Sequence, residues 1–106
     1  MKRQLSYFPV VFHELLEIHN WYEMKSTGLG FEFDRAFFEA INQIKAFPFS
    51  APYVNGIDRR KFLKKFPYCV YYYTEDCRTI ILAIFHTSRA EKKISKVIKQ
   101  RRKSFK

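Results

Sequence analysis

The residues most able to do chemistry lie in one stretch, residues 59–74, which reads RRKFLKKFPYCVYYYT. It places five cations within seven residues and then five aromatic side chains within eight. Lysine and arginine can bind phosphate or carboxylate groups, whereas the aromatic part suits either a core or the stacking of bases. Core packing is favoured for Tyr71, Tyr72 and Tyr73, because successive residues of a strand point to opposite faces. We therefore predict a structure that buries the aromatic part and presents the cations at a surface.

A second group of candidates follows the next apolar segment, TIILAIFH at residues 79–86. His86 ends that segment, and its imidazole has the intrinsic pKa of a general acid or base. Its alternative role is a structural hydrogen bond at the end of the sheet. Cations follow His86 and could stabilise charge on a phosphate group. The residues predicted to bind a target or a phosphate are Arg59, Arg60, Lys61, Lys64, Lys65, Arg89, Lys92 and Lys93.

The net charge of +10 is divided unevenly along the 106 residues. Residues 1–58 hold 5 Lys or Arg against 7 Asp or Glu, and residues 59–106 hold 15 against 3. Such segregation indicates a polyanion or an acidic protein as the partner. A charge that serves solubility alone is the alternative, but solubility does not require one half of the chain to carry it.

Composition narrows the class of protein. A chain of 106 residues is expected to form one domain, residues 1–106. The longest apolar run is too short to span a bilayer, and MKRQLSYF lacks the apolar stretch of a signal peptide, so we expect a cytoplasmic protein with no membrane partner. Cys69 and Cys77 are expected to be reduced thiols, with Cys69 packed in a sheet rather than acting as a nucleophile. Without CxxC or a Cys/His cluster, neither a metal site nor a cofactor is expected.

Hydrophobic periodicity predicts the order β-α-α-β-β-β-α. Helices are predicted over residues 9–26 and 31–47, joined by a glycine turn into an antiparallel hairpin, and over residues 90–103. Residues 99–106 are expected to be a frayed basic tail, because like charges repel. Strands are predicted over residues 2–8, 59–66, 68–74 and 79–86, the last covered on both faces because it is almost wholly apolar. The predicted fold class is α+β: a small antiparallel sheet packed by the N-terminal helical hairpin, with a basic C-terminal helix.

Four segments between residues 3 and 95 occur in a recognisable order. They are WYE at residues 21–23, GLGF at 28–31, RRKF with FPY and YYY at 59–73, and LAIFHTSR at 82–89. Together they resemble the RelE/ParE superfamily, the toxins of bacterial type II toxin–antitoxin modules, also called plasmid-stabilisation toxins. The resemblance implies a growth-inhibiting cytoplasmic toxin that a cognate antitoxin, encoded beside it, neutralises. We expect an acidic and apolar antitoxin segment to lie over the sheet, the helical hairpin or both.

The superfamily has two branches, and this sequence departs from one of them. Toxins of one branch cleave mRNA in the ribosomal A site, and those of the other poison DNA gyrase. The mRNA-cleaving branch carries an arginine just after a Gly-Tyr pair and a tyrosine near the C-terminus. Here Cys69 stands at the first position, and no tyrosine follows Arg89. The resemblance therefore favours a ParE-like gyrase poison.

Two alternatives stay open. One is a RelE-like, ribosome-dependent and metal-independent mRNA endoribonuclease, which would use Arg89, His86 and Lys61 in catalysis. Arg89 matches the position of an important arginine in that branch. The other is a nucleic-acid-binding module with no toxicity, for which salt-dependent binding is the expected property.

Overall fold

The computed structural model describes residues 3–105, which form three helices and one four-stranded sheet. The order β-α-α-β-β-β-α and the α+β class are confirmed. The elements are β1 (Gln4–Tyr7), α1 (Val10–Lys25), α2 (Leu29–Ala46), β2 (Arg59–Phe62), β3 (Tyr68–Glu75), β4 (Arg78–His86) and α3 (Glu91–Ser104).

The strands lie in the order β1-β4-β3-β2. The pairs β2–β3 and β3–β4 are antiparallel as predicted, but β1 lies parallel to β4, with Gln4 opposite Arg78, so the sheet is mixed. A tight turn forces antiparallel pairing on the strands it joins, whereas β1 leads into the helical hairpin and is free to join either way. Its direction could not be read from local sequence.

Helices cover both faces of the sheet. The α1–α2 hairpin covers one face through a stripe on α2 that steps by four, four and three residues. This first core contains Phe33, Phe37, Ile41 and Ile44 of α2 with Val70, Tyr72, Ile81 and Ile84 of the sheet. Helix α3 covers the opposite face, where Ile94 and Ile98 pack on Cys69, Tyr71, Tyr73, Ile80, Leu82 and Phe85. The predictions that β4 is covered on both faces and that Tyr71, Tyr72 and Tyr73 are core residues are confirmed.

The turn between α1 and α2 explains the WYE and GLG motifs physically. Gly28 has φ of 92°, a left-handed conformation that glycine adopts without steric cost. The Glu23 carboxylate accepts hydrogen bonds from the backbone N–H groups of Gly28 and Gly30, at 2.8 and 3.0 Å. A carboxylate at the start of α2 satisfies N–H groups that have no helical partner, so Glu23 stabilises the hairpin turn.

Gly30 is predicted to be intolerant of any side chain. A Cβ atom at this position would lie 2.6 Å from the backbone oxygen of His19, a separation that requires α1 and α2 to move apart. Gly30→Ala is therefore expected to lower the free energy of unfolding by about 1–3 kcal/mol, measured by urea denaturation. Asn42→Ala, on the exposed side of α2, serves as the control and should change stability by less than about 0.5 kcal/mol. Equal effects of the two substitutions would contradict the close approach at Gly30.

Helix α3 continues to Ser104, through most of the tail that the sequence predicts to be frayed. Two ion pairs hold this turn: Arg101 Nη2 lies 2.8 Å from Glu14 Oε2, and Arg102 Nε lies 3.0 Å from Asp58 Oδ1. Like-charge repulsion is offset because these two arginines point inward, onto carboxylates from elsewhere in the chain. Phe105 packs at the edge of the second core, and Lys106 lies outside the described residues.

A strand is predicted over residues 59–66, but the observed strand β2 ends at Phe62. The Leu63 N–H donates to the Tyr68 carbonyl at 3.0 Å, and Lys65 has φ of 68° in the turn between them. Phe62 and Phe66 therefore do not share a side, contrary to the prediction. Phe62 is 53% exposed, and Phe66 packs in the first core.

Candidate functional site

The outward side of α3 carries a row of lysines. Lys92, Lys96, Lys99 and Lys103 step by four, three and four residues, so they lie on one face of the helix, which we call the lysine face. All four are exposed, and the opposite side of α3 is anchored by the buried Ile94 and Ile98. Within residues 3–105, none of the four has a carboxylate within ion-pair distance. Lys93 adds a further exposed cation beside the row. This face is a positively charged surface available to an acidic partner.

A cavity of about 230 Å³ lies between the start of α3 and the sheet, and we call it the Arg60 cavity. Arg60 enters it from β2, where it pairs across the sheet with Tyr71. The Arg60 Nε is buried and has no hydrogen-bond partner within the described residues. The cavity is lined by Val54, Arg60, Tyr71, Glu91, Lys92, Ile94, Ser95 and Ile98. Two of the predicted binding residues, Arg60 and Lys92, therefore meet here.

Arg59 is placed differently from its neighbour. It is only 8% exposed, and its Nη1 donates to the carbonyls of Phe49 and Ala51 at 2.9 and 2.7 Å. Its guanidinium lies 3.9 Å from the centroid of the Tyr53 ring. The structure thus places Arg59 as an internal support for residues 47–58, away from the exposed cations with which the sequence grouped it.

The three lysines of the opening stretch lie on the other side of the sheet. Lys61 pairs with Val70, whose side chain belongs to the first core, so Lys61 lies on the hairpin face. Lys64 forms an ion pair of 3.1 Å with Glu39 of α2, and Lys65 lies beside it in the turn. These lysines are consequently separated from the Arg60 cavity and the lysine face, and the stretch does not present one united patch.

His86 and Arg89 also point to different faces. The His86 ring contacts the Tyr68 ring on the hairpin face, with centroids 5.1 Å apart. The Arg89 guanidinium lies 4.4 Å from the centroid of Phe85, which belongs to the core beneath α3. The three residues predicted to act in catalysis, Arg89, His86 and Lys61, therefore do not form a single cluster on one face of the sheet.

The surroundings of His86 define its tautomer. Its Nδ1 accepts a hydrogen bond of 3.0 Å from the backbone N–H of Ser88, so the neutral ring carries its proton on Nε2. His86 borders an open aromatic pocket with Trp21, Tyr22 and Tyr68. Burial raises the pKa of Tyr68, while the nearby Arg89 acts in the opposite direction. The Tyr68 hydroxyl and the His86 ring both border this pocket.

Cys69 lies in the second core and is 1% exposed. Burial raises the pKa of its thiol to about 11, with Arg60 and Tyr71 acting in the opposite direction. The thiolate is the nucleophilic form, and it is scarcely populated at neutral pH. The prediction that Cys69 packs in the sheet is confirmed.

Within residues 3–105, no group of three His, Cys, Asp or Glu side chains is arranged to hold a metal ion. In the same range, no helix combines the length and the apolar character needed to cross a membrane.

Sequence reasoning missed the buried carboxylates and their arginines. The Asp58 side chain is 0% exposed and pairs with Arg102. Its carboxylate accepts a hydrogen bond from Asn55 Nδ2, and its backbone N–H donates to Asn55 Oδ1. The signal for Arg101 was present, because it lies seven residues after Ile94 and three after Ile98, on the buried stripe of α3. Glu14 carried the same signal, because it lies three residues after Val11 and four before Ile18, on the apolar stripe of α1. For Asp58 the sequence carries no such signal, since its partner is distant in the chain.

No protein-family model matches the sequence, and no curated protein matches it. Among solved structures, a chain of the "Chromosomal ParDE TA system from P. aeruginosa" superposes with a TM-score of 0.71 and 14% sequence identity. The match covers 79% of this chain and 95% of that chain. The two chains share one fold. At this level of identity the likeness shows the fold alone.

Proposed function

We propose that this chain is the toxin of a type II toxin–antitoxin module, inhibiting growth until a cognate antitoxin binds it, and that its target in the bacterial cytoplasm is DNA gyrase. The observation that carries the proposal is the fold match to a chain of a ParDE TA system, over 95% of that chain. The exposed lysine face and the Arg60 cavity support it, because an acidic partner needs a positively charged and partly apolar docking surface.

The positions of the candidate nuclease residues support gyrase as the target. Arg89, His86 and Lys61 are divided between the two faces of the sheet. Cys69 occupies the position at which the mRNA-cleaving branch has an arginine, and its side chain is in the core. A metal-free ribonuclease needs a base, an acid and a cation around one phosphate. The three groups lean toward different faces of the sheet, although the Arg89 charge still acts on Tyr68 beside His86, and this arrangement favours a toxin that acts by binding.

The test is to add one preparation of the purified protein to a gyrase supercoiling reaction and to a translation extract. We expect supercoiling to be inhibited and cleaved, gyrase-linked DNA to accumulate, while mRNA in the extract stays intact. Premixing with the protein encoded by the adjoining gene should abolish the inhibition, which controls for non-specific effects of a basic protein. No effect on gyrase at a stoichiometric excess would reject the gyrase target.

One observation favours a ribosome-dependent endoribonuclease as the second candidate. The His86 Nε2 proton and the Tyr68 hydroxyl border one open pocket, near the Arg89 charge. If this pocket is catalytic, the translation extract will show codon-phased mRNA cuts, and Arg89→Ala will abolish them. Cuts of equal extent with Arg89→Ala would remove Arg89 from the mechanism.

A further inference from the structure

We propose that the Arg60 cavity binds an acidic side chain, aspartate or glutamate, of a partner polypeptide. The proposal deepens the toxin function proposed above, on which it rests for the identification of that polypeptide as the antitoxin. In this proposal, the Arg60 guanidinium and the residues that line the Arg60 cavity form the central contact between toxin and antitoxin.

The first argument is an unused hydrogen-bond donor. The Arg60 Nε is buried, and no acceptor bonds it within residues 3–105. A buried donor without a partner carries a cost of about 1–3 kcal/mol. Because the Nε atom is itself covered, the Arg60 side chain must turn toward the cavity for an incoming acceptor to reach this donor. A carboxylate is the acceptor that an arginine fork binds best, through two parallel N–H···O bonds.

The second argument is a comparison with the other inward-facing arginines. Arg59 donates to two backbone carbonyls, Arg101 pairs with Glu14, and Arg102 pairs with Asp58. Each of these three is satisfied within the chain and serves the fold. Arg60 instead has its Nε unpaired beside an open cavity, with its guanidinium 4.9 Å from the centroid of the Phe62 ring.

The third argument concerns which kind of acid fits. The aliphatic walls of the cavity, Val54, Ile94 and Ile98, would bury the methylene groups of a glutamate or an apolar neighbour in a peptide. The Glu91 carboxylate also lines the cavity and would repel a chain of phosphates more strongly than a single carboxylate, which carries fewer negative charges. A single carboxylate on an apolar segment suits this mixture better than a nucleic-acid backbone does.

The fourth argument is the apolar surface around the cavity. Val54, which lines the cavity, is 36% exposed, and Phe62, whose ring lies against the Arg60 guanidinium, is 53% exposed. An anchoring charge surrounded by apolar residues that exclude water is the usual arrangement at the centre of a protein interface. The lysine face begins at Lys92, which also lines the cavity, so an acidic segment would meet both in succession.

The first experiment uses NMR and three probes: N-acetyl-Leu-Glu methylamide, its glutamine analogue and inorganic phosphate. We expect the glutamate probe to shift the Arg60 Nε–Hε and Ser95 amide resonances saturably, and the glutamine probe and phosphate to leave them unmoved at equal concentration. The Ser95 shift should disappear in Arg60→Met. No saturable shift with the glutamate probe, or binding of phosphate in its place, would overturn the proposal.

Arg60→Met also separates a binding role from a structural one. Because the substitution removes an unsatisfied group and keeps an apolar stem, the urea midpoint should stay the same or rise. In complex with the protein encoded by the adjoining gene, the dissociation rate should rise at least tenfold, while Lys64→Met should leave it within twofold. A lower midpoint together with unchanged dissociation would assign Arg60 to the fold and reject the proposal.

The outcomes distinguish this inference from the proposed function. Growth arrest on expression, with no carboxylate binding at Arg60, would support the toxin function and reject the Arg60 cavity as a carboxylate site. Carboxylate binding at Arg60 without growth arrest would support the Arg60 cavity as a site for an acidic peptide and reject the toxin function.

Discussion

Replacing Glu14 with alanine is expected to lower the free energy of unfolding by about 3 kcal/mol, the low end of the range for removing one partner of a buried ion pair, because this pair keeps some exposure. The Glu14 and Arg101 side chains are each 15% exposed. Glu14 Oε1 also accepts the backbone N–H of Ile84 at 3.3 Å, and Arg101 Nη1 donates to the Leu82 carbonyl at 2.9 Å. Without Glu14, the Arg101 guanidinium would lose its counter-charge and keep only the Leu82 carbonyl, and the Ile84 N–H would lose its acceptor. Urea denaturation at neutral pH measures the change.

Two further variants give this experiment its control. Glu17→Ala removes an exposed carboxylate from the same helix, where both partners of the His13–Glu17 pair are 69% exposed, and should cost less than about 0.5 kcal/mol. The double variant Glu14→Leu with Arg101→Met removes both charges and should be more stable than Glu14→Ala alone. A loss below about 1 kcal/mol in Glu14→Ala would mean that water replaces the pair easily, contrary to the burial seen here.

The second large effect is expected on the rate at which the proposed antitoxin associates. Changing Lys92, Lys96, Lys99 and Lys103 together to glutamine removes the lysine face while keeping helix-forming side chains. At low ionic strength we expect the association rate constant to fall about 10- to 100-fold, because the surface no longer attracts an acidic partner. Stopped-flow or surface-based kinetics with the protein encoded by the adjoining gene measures the rate.

A matched control exists elsewhere on the molecule. Lys25, Lys45, Lys64 and Lys65 are also exposed, and changing these four to glutamine alters the net charge by the same amount. If the position of the charge matters, this control should retain most of the association rate. Equal losses in both variants would show that net charge alone attracts the partner, and the lysine face would lose its special role. Raising the salt concentration should erase the difference between them.

The fold could be predicted from the sequence wherever a local pattern carried the information. The apolar stripe at Phe33, Phe37, Ile41 and Ile44 predicts α2, and the uninterrupted apolar run of β4 predicts a strand covered on both faces. In the same way, core burial of Tyr71, Tyr72 and Tyr73 follows from alternation along a strand.

What could not be predicted depends on contacts between distant residues. The cations of residues 59–65 read as one group, yet strand alternation and the turn at Lys65 send Arg59 inward, Arg60 toward α3, and Lys64 toward Glu39 of α2. The basic run at residues 99–103 reads as repulsive, because the sequence does not show that Glu14 and Asp58 arrive from other elements to meet Arg101 and Arg102. The candidate site is therefore less predictable than the fold: its residue types are visible, but their grouping is not.

The parallel pairing of β1 with β4 has a consequence for biosynthesis. The first strand cannot find its neighbour until the ribosome has extended the polypeptide by more than seventy positions, since Gln4 pairs with Arg78. Contacts so far apart in the chain make folding slower, and the partly made product exposes its apolar surface meanwhile. A growing chain of this topology would therefore reach its native state only after β4 has left the ribosome, which leaves an interval in which a protein already present in the cell can capture it.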